Sequence, residues 1–197
     1  NALTGIQDES GQRFSTYTYD SKGMAISTEH AGGVEKYSVK YASDDSVAIT
    51  GPMGEVEERT FGAVLGLRRA LLSSTKCSGC APRTEVYTYD SNGRLDTVTN
   101  ELGVKNVYSY DNRGLLGQYV EGKIDASGSE RATKTSWNAE FSVPLERQVY
   151  DGTGRLIATS RLSYNSRGQV IKSVQEDPAN STVRVVATTY CEQADVD

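Results

Sequence analysis

The sequence predicts a mainly β fold: antiparallel β-hairpins in a meander, repeated along the chain and forming a curled sheet. Three observations predict it. The chain holds 12 Tyr and 19 Gly against 4 Pro, 3 Phe and 1 Trp; Tyr with Thr and Val favours strands, and Gly favours tight turns. A short pattern, Tyr-x-Tyr-Asp-x-x-Gly followed by an apolar residue, recurs at intervals. Large apolar residues are sparse for a two-layer core, so the sheet is expected to keep at least one face wet.

The totals narrow the function classes. The 197 residues carry a net charge of −5 and a pI of about 5.1. Nucleic acid and anionic membranes both call for a basic patch, so neither is expected as a main partner. Mean hydropathy is −0.51, and no run approaches the roughly 18 apolar residues of a membrane span. Membrane insertion by this section is therefore not expected. The start, "NALTGIQDES", lacks the basic region and apolar stretch of a signal peptide. Asn1-Ala2 is read as the remnant of a cleaved expression tag, which leaves 3–197 as a single repeat region.

The clearest unit is "YTYDSNGRLDTV", 87–98. Tyr87 and Tyr89 lie two apart and so project from one face of a strand. Asp90 starts a turn, its carboxylate accepting from backbone N–H groups ahead of it. Asp at the first position and Gly93 at the fourth match a type I turn. Gly93 is expected at positive φ, forming a bulge that restores the strand twist. Arg94 to Val98 then return as the second strand.

The same parts recur along the chain. Tyr19, Asp20 and Gly23 stand in "YTYDSKGMAI"; Tyr110, Asp111 and Gly114 in "YSYDNRGLL". Tyr150, Asp151 and Gly154 stand in "VYDGTGRLI"; Tyr164, Asn165 and Gly168 in "SYNSRGQVI". Asn165 replaces Asp because both side chains cap backbone. Between units, Gly33 in "HAGGVEKYSVKY" and Gly103 in "NELGVKNVYSY" supply a second kind of turn. The segments 42–86 and 117–148 match weakly, and the 40-residue gap from Asp111 to Asp151 has room for a degenerate unit. In 42–86, "YASDDSVAITGPMGEVEERTF" reads as strand, Gly-Pro turn, strand. "FGAVLGLRRALLSS" (61–74) is read as strand. A helix is the alternative, weakened by Gly62 and Gly66.

These five units resemble the YD repeats of the Rhs/YD-repeat family: bacterial Rhs polymorphic toxins, the C components of insecticidal Tc toxins and teneurin ectodomains. One copy would mean little; five within one chain carry the resemblance over about two thirds of it. The resemblance implies a section of a YD-repeat β-shell, a spiralling strip of sheet that encloses a C-terminal toxin domain. It implies a structural role with no cofactor, in an exported bacterial protein that is secreted or at the cell surface. The implied partners are the remaining repeats and the enclosed toxin domain. Asp177-Pro178-Ala179-Asn180 fails the D-P-x-G motif of the family's self-cleaving core, so no catalytic residue is carried over. "KCSGCAP" looks like a cysteine pair found in some long Rhs chains.

Sharper readings have less behind them. Cys77, Cys80 and Cys191 form neither a disulfide framework nor a full zinc set with the single histidine, His30. A local Cys77–Cys80 bridge, two free thiols, a redox pair and a metal site all stay open. Catalysis needs converging groups with tuned pKa values, and a hydrolase would have to draw on Asp44, Asp45, Glu55, Glu57 and Glu58, which sit in charge runs typical of solvated strands. The Asp-x-x-Gly turns lack the alternating acids of a Ca²⁺ loop. Exposed tyrosines could stack on sugar rings, so glycans are kept as a partner class. "NST" at 180–182 is a glycosylation sequon only in a eukaryotic secretory chain. A cut sheet exposes edges, so edge-to-edge pairing of copies is also expected.

Overall fold

The computed structural model describes residues 2–124 and 128–190. Asn1, Cys191 and the rest of the last seven residues lie outside the described residues, and with them the tag-remnant reading of Asn1 and the third cysteine. Among the described residues the protein has sixteen strands, one 3-10 turn at Ala31–Gly33 and no α-helix. Within each of the two units described next, the strand pairs are antiparallel and follow chain order, as the hairpin pattern predicts.

The chain divides into two compact units at Arg94/Leu95. The first contains β1 (Gly5–Gln7), β2 (Arg13–Tyr19), β3 (Ala25–His30), β4 (Tyr37–Ser43), β5 (Ser46–Thr50), β6 (Val56–Val64), β7 (Leu67–Lys76) and β8 (Arg83–Tyr89). The second contains β9 (Leu95–Asn100), β10 (Lys105–Tyr110), β11 (Leu116–Lys123), β12 (Arg131–Trp137), β13 (Pro144–Tyr150), β14 (Leu156–Tyr164), β15 (Val170–Asp177) and β16 (Thr182–Ala187).

The segment 61–74 is strand rather than helix, broken by a tight turn at Leu65 and Gly66. β6 and β7 pair from Val56↔Lys76 to Val64↔Leu67. Leu65 at φ 49° and Gly66 at φ 76° close them, the two left-handed positions of a type I′ hairpin turn.

Register sorts the side chains of the first unit into two unlike faces. The pairs Tyr17↔Thr28, Thr28↔Tyr37 and Val39↔Ile49 carry one face across β2 to β5. Ile49↔Glu57, Arg59↔Ser73 and Ser73↔Glu85 continue it to β8. Tyr17, Tyr37, Tyr41 and Tyr87 share this face. The other holds Thr18, Ser27, Ser38, Lys40, Glu58 and Ser74. In the second unit, Tyr108↔Tyr119↔Thr133↔Val149 lies on one face and Lys134↔Gln148↔Thr159↔Glu176 on the other.

Neither face is covered. Among the described residues no hydrophobic side chain is fully buried; the buried polar ones are Ser15, Ser73 and Thr159. The sequence predicts at least one wet face, and among the described residues both are open. Cohesion therefore comes from the strand ladder, cross-strand pairs and hydrogen bonds at the turns.

Candidate functional site

The recurring feature is the turn, and its chemistry starts at the Asp carboxylate. In the Asp90 turn, Oδ1 accepts the backbone N–H of Asn92 at 2.8 Å and of Arg94 at 2.9 Å. The Asp90 N–H donates to the Arg94 carbonyl at 2.8 Å, and the Gly93 N–H to the Asp90 carbonyl at 2.9 Å. Gly93 takes φ 73°. This is a type I turn closed by a glycine bulge.

The other four units repeat the geometry. Asp20 caps the N–H groups of Lys22 and Met24, and Asp111 those of Arg113 and Leu115. Asp151 caps Thr153 and Arg155, and Asn165 caps Arg167 and Gln169. Gly23, Gly114, Gly154 and Gly168 all have positive φ. Where pairs are defined, register slips by one residue beside each turn, as between Thr18 and Tyr19 and between Ser109 and Tyr110.

The same chemistry appears where the Tyr signature is missing. Asp8 caps Ser10 and Gln12, with Gly11 at φ 75°. Asn100 caps Leu102 and Val104, so the Gly103 turn is of the same kind as the Asp turns rather than a second kind. The gap after Asp111 holds Trp137-Asn138, where Asn138 caps Glu140 and Phe141 across a wider turn. In the Gly51–Gly54 turn no Asp is present; the Glu55 carboxylate accepts the Met53 N–H at 3.0 Å instead.

Five tyrosines at or near strand ends have a second task. Tyr19 donates its hydroxyl to the Leu3 carbonyl at 2.7 Å, and Tyr41 to Ala25 at 2.9 Å. Tyr89 donates to Ala70 at 2.7 Å, Tyr164 to Pro144 at 2.7 Å and Tyr190 to Val170 at 2.9 Å. Trp137 does the same through Nε1 to the Leu116 carbonyl at 3.0 Å. Each of these aromatics lies at, just past or within two residues of the end of an even-numbered strand and reaches back toward the start of the preceding odd strand. Burying a ring while its polar tip binds backbone suits Tyr and Trp alike.

Tyr150 breaks this rule. It ends an odd strand, lies on the Lys134–Gln148 face, and donates to Gln148 Oε1 at 2.7 Å. Lys134 Nζ stands 5.0 Å from its ring centre.

Electrostatics follow the hydrogen bonds. The Thr153 hydroxyl and the N–H groups of Arg155 and Thr153 hold the Asp151 carboxyl below the usual aspartate range. Loss of water pulls Asp111 upward, but the N–H groups of Leu115 and Arg113 and the Arg113 guanidinium outweigh it and lower its pKa. Asp177 is lowered first by the Asn180 amide. With their carboxylates turned toward N–H donors, these residues act as caps.

The acidic runs and the cysteines also have defined places. Glu57 Oε1 accepts from Arg59 Nε at 2.6 Å and from the buried Ser73 hydroxyl at 2.8 Å. Its pKa is lowered, chiefly by Arg59. Tyr87 donates to Glu85 at 2.6 Å; burial and that bond push its phenol up to about 12. Glu58 meets Lys76 at 3.3 Å and Asp45 meets Arg68 at 4.0 Å. His30 meets Glu35 at 3.3 Å and packs edge-on to Phe14. Cys77 and Cys80 are joined as a disulfide in the turn between β7 and β8, with Cα atoms 5.5 Å apart.

No family model and no curated protein matches this chain. Solved structures do. The crystal structure of TcdB2-TccC3 without its hypervariable C-terminal region aligns over 91% of this chain at 15% identity and a TM-score of 0.65. This chain spans 10% of the length of that one. A porin-like protein from Bacteroides uniformis (15% identity, 87% of this chain and 85% of that one, TM-score 0.46) aligns more loosely. So does the Photorhabdus luminescens Tc holotoxin pore carrying a TccC3 mutation (9% identity, 91% and 12%, TM-score 0.38). These two are too distant in geometry to carry an argument. What this chain shares with TcdB2-TccC3 is the fold.

Proposed function

We propose that this chain is a structural section of an Rhs/YD-repeat protein, one stretch of the wall of a hollow β-shell that encloses a C-terminal toxin domain. The observation that carries the reading is the repeated hairpin. Asp or Asn caps one turn after another, and Tyr19, Tyr41, Tyr89, Trp137, Tyr164 and Tyr190 each tie their part of the sheet back to the preceding odd strand. That chemistry is of the kind that extends a sheet repeat by repeat. The fold likeness to a tenth of TcdB2-TccC3 supports the same reading. The parent is exported, secreted or at the cell surface, and the section is non-catalytic. Its partners are the neighbouring repeats and the enclosed domain.

The test is the coding sequence on either side of these residues. The expected result is further Tyr-Asp-x-x-Gly units, then a D-P-x-G core and a variable domain downstream. A stop codon soon after Asp197 with no repeats upstream would overturn it.

A second reading, glycan binding, has one observation in its favour. A shallow groove of about 410 Å³ is lined by Phe141, Tyr164, Asn138, Glu140 and Ser166 among others, with an exposed ring beside polar groups. Titration of the chain with a panel of oligosaccharides by calorimetry tests it. Heat lost on Phe141→Ala would support it, and no heat from any member would remove it.

A further inference from the structure

We infer that the Cys77–Cys80 bridge is a thiol–disulfide exchange site. A dithiol opens it by attack at Cys80, and opening releases the turn between β7 and β8 while the strands on either side stay paired. The inference concerns this turn alone and does not depend on the wall reading.

The bridge is what closes this turn. The β7–β8 ladder ends at the pair Thr75↔Arg83, and 77–82 lies outside both strands. Other turns of the first unit are closed by backbone hydrogen bonds. The Gly11 N–H donates to the Asp8 carbonyl at 3.0 Å, the His30 N–H to Val34 at 2.8 Å and the Gly51 N–H to Glu55 at 2.9 Å. Among the described residues no such bond forms within 77–82. No Asp or Asn stands there to cap its N–H groups. The S–S bond takes the place of both.

The flanking strands are held without it. Lys76 pairs with Val56 on the β6 side and meets Glu58 at 3.3 Å. β8 is joined to β7 by the pairs from Leu72↔Val86 to Thr75↔Arg83 and by the Tyr89 hydroxyl on the Ala70 carbonyl. The bridge spans a sequence separation of 3, and the constraint that a bridge puts on the unfolded chain is least for short loops. Its loss therefore acts on the turn rather than on the sheet.

The bridge is also accessible. Ser78, Gly79 and Cys80 are exposed and Cys77 is half-buried. Exposed bridges are the exchange-labile ones, and access decides which sulfur is attacked. A thiolate of the reductant attacks Cys80 Sγ; the S–S bond breaks and its electron pair leaves on Cys77 Sγ, which takes up a proton. The second thiolate of the reductant then attacks its own sulfur in the mixed disulfide and releases Cys80 as a thiolate, which is protonated in turn. The dithiol is oxidised to a disulfide, the bridge is reduced to two thiols, and two protons pass from reductant to protein.

The test uses the 197-residue chain carrying Cys191→Ser. The folded chain is treated with dithiothreitol without denaturant, quenched with N-ethylmaleimide and weighed by mass spectrometry. It is expected to take up no maleimide before the reductant and two after it, with the strand signal in circular dichroism retained. Backbone order parameters from nuclear magnetic resonance are expected to fall at Ser78–Ala81 on reduction and to hold at Leu72 and Val86. With Cys77→Ser or Cys80→Ser added, the remaining thiol is mixed with oxidised glutathione, and Cys80 is expected to exchange several-fold faster than Cys77. Maleimide uptake before reduction would overturn the inference. So would a bridge that stays closed until urea is added, a strand signal lost as it opens, unchanged order parameters, or Cys77 exchanging as fast as Cys80.

Discussion

Gly93 sits at φ 73°, and a β-carbon added there would lie 3.2 Å from Leu65 Cδ1. A β-branched residue is strained at that φ whatever the space around it. Gly93→Val is expected to destabilise by about 1–3 kcal/mol, against little change for Ser91→Ala, measured by urea unfolding. Equal effects would contradict the turn assignment. Tyr164 tests the hydroxyl tie. Tyr164→Phe keeps the ring and removes the bond to the Pro144 carbonyl, so a loss of about 1 kcal/mol is expected; no loss would mean the tie is ornamental. The Asp caps predict an acid limb. Asp111, Asp151 and Asp177 have lowered pKa values when folded. Their stabilisation is present above the unfolded value of about 3.9 and is lost as pH falls through the folded values. Asp111→Asn with Asp151→Asn keeps an acceptor in each turn, as Asn165 does naturally. The double variant is expected to fold and to lose less stability between pH 5 and pH 2 than the parent chain, read from thermal melts. An unchanged acid limb would contradict capping by the charged form.

Elements repeat more often than the Tyr-Asp spelling does. The hairpins at Asp20, Asp90, Asp111, Asp151 and Asn165 are legible because turn chemistry is local: acid, two spacers and glycine fix the backbone wherever they occur. The Asp8 hairpin is hidden because Gln7 replaces the tyrosine. The Trp137-Asn138 unit is hidden because an indole N–H replaces the phenol and the turn is longer. The mismatch at Tyr150 was not legible at all. Its letters match the motif, but its task depends on whether the strand it ends is odd or even in the count, and that parity changes across the weakly matched 117–148, where β11 and β12 come between Tyr110 and β13. The disulfide turn between β7 and β8 offers a test at this scale. Alkylation of the untreated exported protein is expected to modify one thiol of the three cysteines, Cys191; modification of all three would contradict the Cys77–Cys80 bridge.

At the scale of the whole molecule, the main fact is the absence of a covered face among the described residues. Composition foreshadowed it, since few large apolar residues are available to bury. What composition leaves open is what lies against each face, because that depends on chain or partners outside these residues. In the proposed wall, exposed groups such as Phe14, Leu71 and Val86 gain neighbours only when further repeats and the enclosed domain are present. Stability then resides in nearest-neighbour contacts along the repeat array rather than in a central core. The central claim is tested most directly by electron cryo-microscopy of the intact parent protein. The account predicts a hollow particle with these sixteen strands as one stretch of its wall and a separate domain inside. A solid particle, or these strands standing apart from any enclosed space, would contradict it.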